Sequence, residues 1–176
     1  MTPLIAQIES YAAYHRNRWN TLTHFVGVPL VAFAILLALS WLRFAPAPEW
    51  PISGGVLFYL GSLIYYLRLD WRIAVAQLPW TLPLLIAADW VARMPFETSA
   101  VVFVAAFVGG WVFQLVGHAV EGRRPALADN VLQIFNAPLF LTAEVLIAGG
   151  FRSDLRSSAG PLTGTAVAGG PPARGG

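Results

Sequence analysis

The sequence predicts an all-α membrane protein with about four transmembrane helices and a C-terminal amphipathic or re-entrant helical segment. Three observations predict it. Hydrophobic residues make up 57% of the 176 and only 11% are charged, where soluble domains carry about 25% charged residues. A chain this short has too little interior to hide so much apolar surface from water. Apolar stretches recur at spanning length, and the arginines between them fall on alternate sides.

The stretches are residues 22–42, 52–67, 73–92 and 98–120, close to the roughly 20 residues a helix needs to cross the hydrocarbon core. The second is short and extends at most to Leu69. The breaks at residues 43–51, 69–72 and 93–97 carry the charge and proline of loops. Residues 11–20 are polar where a cleavable signal would be apolar, so the first span is expected to stay in the mature protein. All eleven basic residues are arginine. On alternating spans, Arg16, Arg18, Arg68, Arg72, Arg123, Arg124, Arg152, Arg156 and Arg174 share one side, leaving Arg43 and Arg93 on the other. The side rich in arginine is the cytoplasmic one, so both termini are expected there. Arginine without lysine, beside abundant Ala, Gly and Pro, points to a bacterium and its cytoplasmic membrane.

Residues 126–151 form a fifth apolar segment, but Asp129, Asn130, Gln133, Asn136, Pro138 and Glu144 interrupt it. It reads as an amphipathic or re-entrant helix pair held against the cytoplasmic side, since a full crossing would carry Arg152 and Arg156 outward. Residues 1–156 are one membrane domain, and 157–176, rich in Ser, Gly, Pro and Ala, read as a disordered tail. The absence of cysteine excludes disulfides and thiolate metal sites. A net charge of +2 from scattered arginines gives nucleic-acid binding no support.

Polar groups at membrane depth are costly and mark packing or chemistry. In the fourth span Gly110, Gln114, Gly117, His118 and Glu121 fall within about 100° of one another on a helix of 3.6 residues per turn. His118 and Glu121, three apart, are neighbours placed to share a cation or to bond each other in a purely structural contact. In the first span Asn17, Asn20 and His24 share a face. His15 does not: on a continuous helix it lies opposite His24 and roughly 13 Å along the axis. The two meet at one ligand only if the chain bends between them, with Asn17 and Asn20 as bend residues. Otherwise His15 belongs to an aromatic belt with Tyr11, Tyr14 and Trp19. Topology brings His24, His118, Glu121 and Asp70 to one face of the membrane, as a histidine-rich metal site requires. Asp89 falls near the opposite face, and Pro79 and Pro83 predict a kink in the third span.

The segments HRNRWNTLTHFVGVPL, from His15, and QLVGHAVEGRRPALADN, from Gln114, together resemble the signatures of a membrane 2-hydroxy fatty acid dioxygenase family, over roughly residues 8–150. The resemblance implies an Fe(2+)-dependent oxygenase without haem, using molecular oxygen to shorten a 2-hydroxy fatty acid by one carbon. On the matching positions it implies His15, His24 and His118 as metal ligands, with Asn20, Glu121, Asp129 and Asn130 in the same motifs. His118, Glu121 and Asn20 are the candidate catalytic residues. Arg123 and Arg124, with Arg16 and Arg18 at the same face, are candidates to attract a substrate carboxylate. The competing readings are a lipid-binding scaffold whose histidines only join helices, and a haem carrier with His24 and His118 as axial ligands.

Overall fold

The computed structural model of the chain describes residues 3–44, 51–122, 124–125, 133–152 and 154–155. The protein is mostly helical: α1 (Pro3–Ala12), α2 (Arg18–Ser40), α3 (Gly54–Leu69), α4 (Trp71–Val91), α5 (Phe96–Glu121) and α6 (Gln133–Ala148). A two-residue antiparallel pair, β1 (Arg43–Phe44) and β2 (Ile52–Ser53), joins α2 to α3. Among the described residues three helices, α2, α4 and α5, are long and apolar enough to cross a membrane. They match the first, third and fourth predicted spans, with ends shifted by a few residues. The predicted second span is α3, whose 16 residues cover about 24 Å at 1.5 Å each, less than the roughly 30 Å hydrocarbon core. Large apolar side chains such as Leu60, Ile64, Ile86, Val101 and Val112 face outward, as lipid contact requires.

Local chemistry sets the helix ends. Asn17 caps α2 by accepting from Trp19 N, Ser53 caps α3 through Val56 N, and Asp70 caps α4 through Arg72 N and Ile73 N. Each side chain takes up a backbone donor that the first turn leaves unpaired. Gly122, at φ 70°, closes α5 in the left-handed conformation directly after Glu121. Pro79 and Pro83 both lie inside α4, which is helical throughout.

The framework of the bundle is the α2–α5 pair, its most extensive helix contact. Glycines set the approach: a methyl group on Gly27 would come within 2.8 Å of the Gly110 carbonyl oxygen, and one on Gly110 within 2.9 Å of the Gly27 oxygen. This is the small-residue packing by which helices associate in lipid, where no hydrophobic drive separates helix from tail. At one end, Leu36, Leu37, Leu85, Ala88 and Val91 form an apolar core. Beside it Asp89 pairs with Arg43 at 2.9 Å and Arg93 at 2.7 Å.

At the other end α1 and α6 pack over the point where α3 turns into α4. Leu4, Ile8, Tyr11, Ile73, Ala74 and Phe140 share this second core. Both ends of α6 are tied there: Gln133 Nε2 donates to Ser10 Oγ at 3.0 Å, and Arg152 reaches Asp70 Oδ2 at 2.9 Å. Asp154 grips the same guanidinium at 2.9 Å. These carboxylates hold Arg152 charged above its usual range, and Arg152 holds Asp154 below its own. In α6 six successive residues, from Leu139 to Glu144, are buried. Val145, 56% exposed, and Ala148 leave one narrow face of α6 outward, while the rest of its second half packs inside. Residues 126–132, the start of the predicted fifth segment, and the predicted tail lie outside the described residues.

Candidate metal centre

The chain bends between His15 and His24, as a shared ligand site demands. Helix α1 ends at Ala12, residues 13–17 turn, and α2 begins under the Asn17 cap. The last residue of α5 staples this turn: Glu121 accepts from Arg16 N at 3.1 Å, from Asn17 N at 2.7 Å and from Asn20 Nδ2 at 3.3 Å. Two of these donors precede the first turn of α2 and the third lies within it. A carboxylate there compensates both unpaired N–H groups and the positive end of the helix dipole. Glu121 therefore turns to the α1–α2 connection, and no ion pair joins it to His118 among the described residues.

The bend brings three imidazoles together in the interior. His15 and His24 are fully buried and His118 is 4% exposed. Ring centroids are 4.4 Å apart for His15–His24 and 5.0 Å for each with His118. One nitrogen from each lies within 4.8 Å of the other two. His15 Nδ1 stands 2.8 Å from Tyr11 O, and His24 Nδ1 2.8 Å from Asn20 O. A carbonyl oxygen only accepts, so both rings carry their proton on Nδ1 and present a bare Nε2. Those two Nε2 atoms are 3.1 Å apart. Facing lone pairs at this distance repel unless a cation lies between them. Donation from the far nitrogen to a backbone carbonyl is how metal-bound histidines are oriented. His118 Nδ1 is buried without a hydrogen-bond partner. The donor set therefore fits a metal ion, and three mutually contacting rings leave no slot for a porphyrin plane between His24 and His118.

The surroundings keep His15 ready to bind. Tyr11 stacks on its ring at 4.2 Å and Phe140 lies at 5.5 Å. Burial first, and then the neighbouring His24, push His15 down to about 3 from 6.5. It is neutral at pH 7, the form that coordinates metal. Between these two values an unfolded chain takes up a proton that the folded one refuses, so this histidine's contribution to stability is intact above 6.5 and lost progressively toward 3. Thermal unfolding of metal-free protein in detergent is expected to show a flat Tm from pH 8 to about 6.5, then a fall as the pH drops. A Tm that rises on acidification would contradict the buried neutral imidazole.

The remaining sequence candidates divide. Asn20 is buried, and its amide spans Tyr14 O at 3.2 Å and Glu121 while its carbonyl holds His24. Its Oδ1 is buried without a partner. Arg16, Arg18 and Arg124 are exposed, with the Arg18 guanidinium 5.7 Å from the Trp19 ring centroid. Arg123, Asp129 and Asn130 lie outside the described residues. Asp70 caps α4 and pairs with Arg152 instead of joining the histidines. Tyr11 is buried against His15 rather than set in an aromatic belt, while Trp19 is 61% exposed. Tyr11 was within reach of sequence reasoning, because it precedes His15 by four residues, the spacing at which one helical turn brings a carbonyl under a side chain. Glu121→Gln keeps the size but weakens the staple, so metal affinity or activity should fall about 10–100-fold, as when a ligand's orienting partner is lost. Equal metal content and turnover in wild type and variant would exclude this role.

An apolar cavity of about 130 Å³ opens from the centre into the bundle, with Tyr11 and His118 at one end and Ile35, Leu36 and Leu84 farther along. From His24 to Leu36 is about 18 Å along α2 at 1.5 Å per residue.

No solved structure matches the chain. The 2-hydroxy-palmitic acid dioxygenase MPO1 of Saccharomyces cerevisiae is 32% identical over 157 residues, covering 88% of this chain and 86% of the yeast protein. Residues 1–148, which carry all three histidines, match the family described as 2-hydroxy-palmitic acid dioxygenase Mpo1-like, and the chain belongs to that family.

Proposed function

We propose that this chain is a membrane-bound, Fe(2+)-dependent dioxygenase that cleaves 2-hydroxy fatty acids to fatty acids one carbon shorter. The observation that carries the reading is the pair of bare Nε2 atoms 3.1 Å apart, packed beside His118, which itself lines an apolar cavity. A metal between imidazoles accounts for the first feature, and an alkyl tail for the second. The family, and the activity in the yeast relative's name, supply the substrate class.

In this reading His15, His24 and His118 hold the iron. Ferrous iron, when bound, supplies open positions for oxygen and for the carboxylate and hydroxyl oxygens of a 2-hydroxy acid, and the redox chemistry between them. The overall change is R–CH(OH)–COOH + O2 → R–COOH + CO2 + H2O: the C1–C2 bond breaks, C2 is oxidised to a carboxyl, C1 leaves as CO2, and oxygen is reduced. Tyr11 O and Asn20 O fix the two Nδ1 protons and aim the Nε2 lone pairs. Glu121 and Asn20 act as positioning residues by holding the bend. The apolar walls exclude water from the reacting end of the substrate and hold its tail. The exposed arginines do not enter the cavity and serve as topology determinants. In the proposed topology α3 makes a fourth, short crossing, and α1, α6 and both termini lie on the cytoplasmic side.

The test is anaerobic reconstitution with ferrous iron, then exposure to oxygen with a panel of 2-hydroxy acids and mass spectrometry of products. The expected result is a fatty acid one carbon shorter with release of C1, from long-chain 2-hydroxy acids but not from the corresponding unsubstituted acids. Stoichiometric iron with no such product from any chain length would defeat the assignment.

A further inference from the structure

We propose that Gln77 recognises the polar head of the substrate, donating from its side-chain amide to the carboxylate while the histidines hold the metal. This rests on the reading of the cavity as the chamber for a 2-hydroxy fatty acid. Within that reading a problem stands: a fatty-acid carboxylate leaving water needs hydrogen-bond donors, and among the described residues no arginine lines the cavity. Elimination among the lining residues leaves a short list. Thr81 donates to Gln77 O at 2.8 Å, so the Tyr59 hydroxyl, 3.0 Å away, donates to Thr81. Ser62 donates to Phe58 O, Tyr66 to Phe135 O, and Trp80 to Thr142 Oγ1. Gln77 differs. It is 2% exposed, it lines the cavity, and its Nε2 has no partner. A buried amide with its donors unmet costs free energy that a bound acceptor would recover.

Its position suits this task. Ile73 and Ala74 of α4 pack in the same core as Tyr11 and Phe140, the two rings against His15. Gln77 is one turn farther along α4, about 5 Å along the helix axis from those two residues. Gln114, also lining the cavity, stands one turn before His118 on α5, with its Cγ packed against Gly27. A 2-hydroxy acid with its oxygens toward the histidines would thus meet the Gln77 amide beside its carboxylate. The chain beyond would run on toward Ile35 and Leu84. The amide is neutral, so it accepts a carboxylate without burying a second charge.

The experiment is equilibrium titration of the full chain in detergent, iron-loaded under anaerobic conditions so that no turnover occurs, with 2-hydroxy-palmitic acid as the probe. Gln77→Leu, close in size but without donors, should raise Kd about tenfold or more, the loss expected for one hydrogen bond to a charged group. Iron per chain should stay at the wild-type level, which separates a substrate contact from a metal-site defect. Gln77→Asn, whose amide is withdrawn by one methylene, should fall between the two. Wild-type affinity in Gln77→Leu would overturn the proposal. If that variant does not fold, wild-type affinity in Gln77→Asn would do the same. Tight, Gln77-dependent binding without oxygen-dependent product would refute the dioxygenase reading and leave the recognition role standing. Failure of the wild-type protein to bind the probe would overturn both.

Discussion

His118→Ala is expected to lose bound iron and turnover together while remaining a folded membrane protein. In the proposed centre His118 is the ligand that α5 brings to the pair supplied by the α1–α2 bend, and lipid offers no donor to replace it. The loss in metal affinity should exceed the about 10–100-fold that follows removal of an orienting partner. Folding should survive for two reasons. His118 Nδ1 is already buried without a partner, so the substitution removes an unmet polar group. The space it vacates adjoins an existing cavity. Iron per chain, turnover and detergent-extracted yield, measured on one preparation, check this. A scaffold role predicts the opposite: a drop in yield, with negligible metal in wild type and variant alike. Full iron and full turnover in His118→Ala would remove this residue from the centre.

Gly117→Val should destabilise the bundle and disable the centre at once. A Cβ at position 117 would overlap Thr23 Oγ1 and stand 2.5 Å from Asn20 Oδ1 and 3.2 Å from Asn20 Cα. The threonine hydroxyl is itself committed to Asn20 O at 2.7 Å. The collision therefore falls on the residue whose carbonyl orients His24 and whose amide meets Glu121. Relief requires α2 and α5 to move apart, at the cost of about 1–3 kcal/mol typical of overpacking, and the movement separates His24 from His118. Gly109→Ala is the control, since a methyl there meets nothing within 4 Å and replaces a helical glycine with a better helix former, worth about 0.5–1 kcal/mol. Tm and iron content should fall in Gly117→Val and hold or rise in Gly109→Ala. Similar behaviour of the two variants would show that close approach at Gly117 does not position the site.

What could be read from the sequence followed from periodicity and charge. The spacing of apolar runs located α2, α4 and α5, and their alternation brought His24 and His118 to one end of the bundle although 94 residues separate them. The distance between His15 and His24 on an ideal helix required a bend, and Asn17 supplies the cap that starts α2 after it. Periodicity reports the face of a helix but not the group opposite. For that reason the sequence sets Glu121 beside His118 but does not show its hydrogen-bond partners, the Arg16 and Asn17 amides and the Asn20 side chain, more than 100 residues away. Gln77 is a polar residue within the third apolar stretch, but its relation to the cavity depends on helices α2, α3, α5 and α6 together. The burial of α6 was likewise illegible, because its polar residues bond α1 and α4 instead of facing water: Gln133 meets Ser10, and Thr142 takes the Trp80 indole. Arg124, next to the motif, was a natural candidate for a carboxylate by charge alone, and its exposure is a tertiary fact.

The central claim is that His15, His24 and His118 bind one ferrous ion. X-ray absorption at the iron edge of the anaerobically reconstituted wild-type protein tests it most directly. The expected result is one iron per chain, with nitrogen and oxygen ligands and the outer scattering of three imidazoles, reduced to two in His118→Ala if residual iron remains there. Iron surrounded by oxygen ligands alone, or a protein that retains no iron after removal of excess metal, would contradict it.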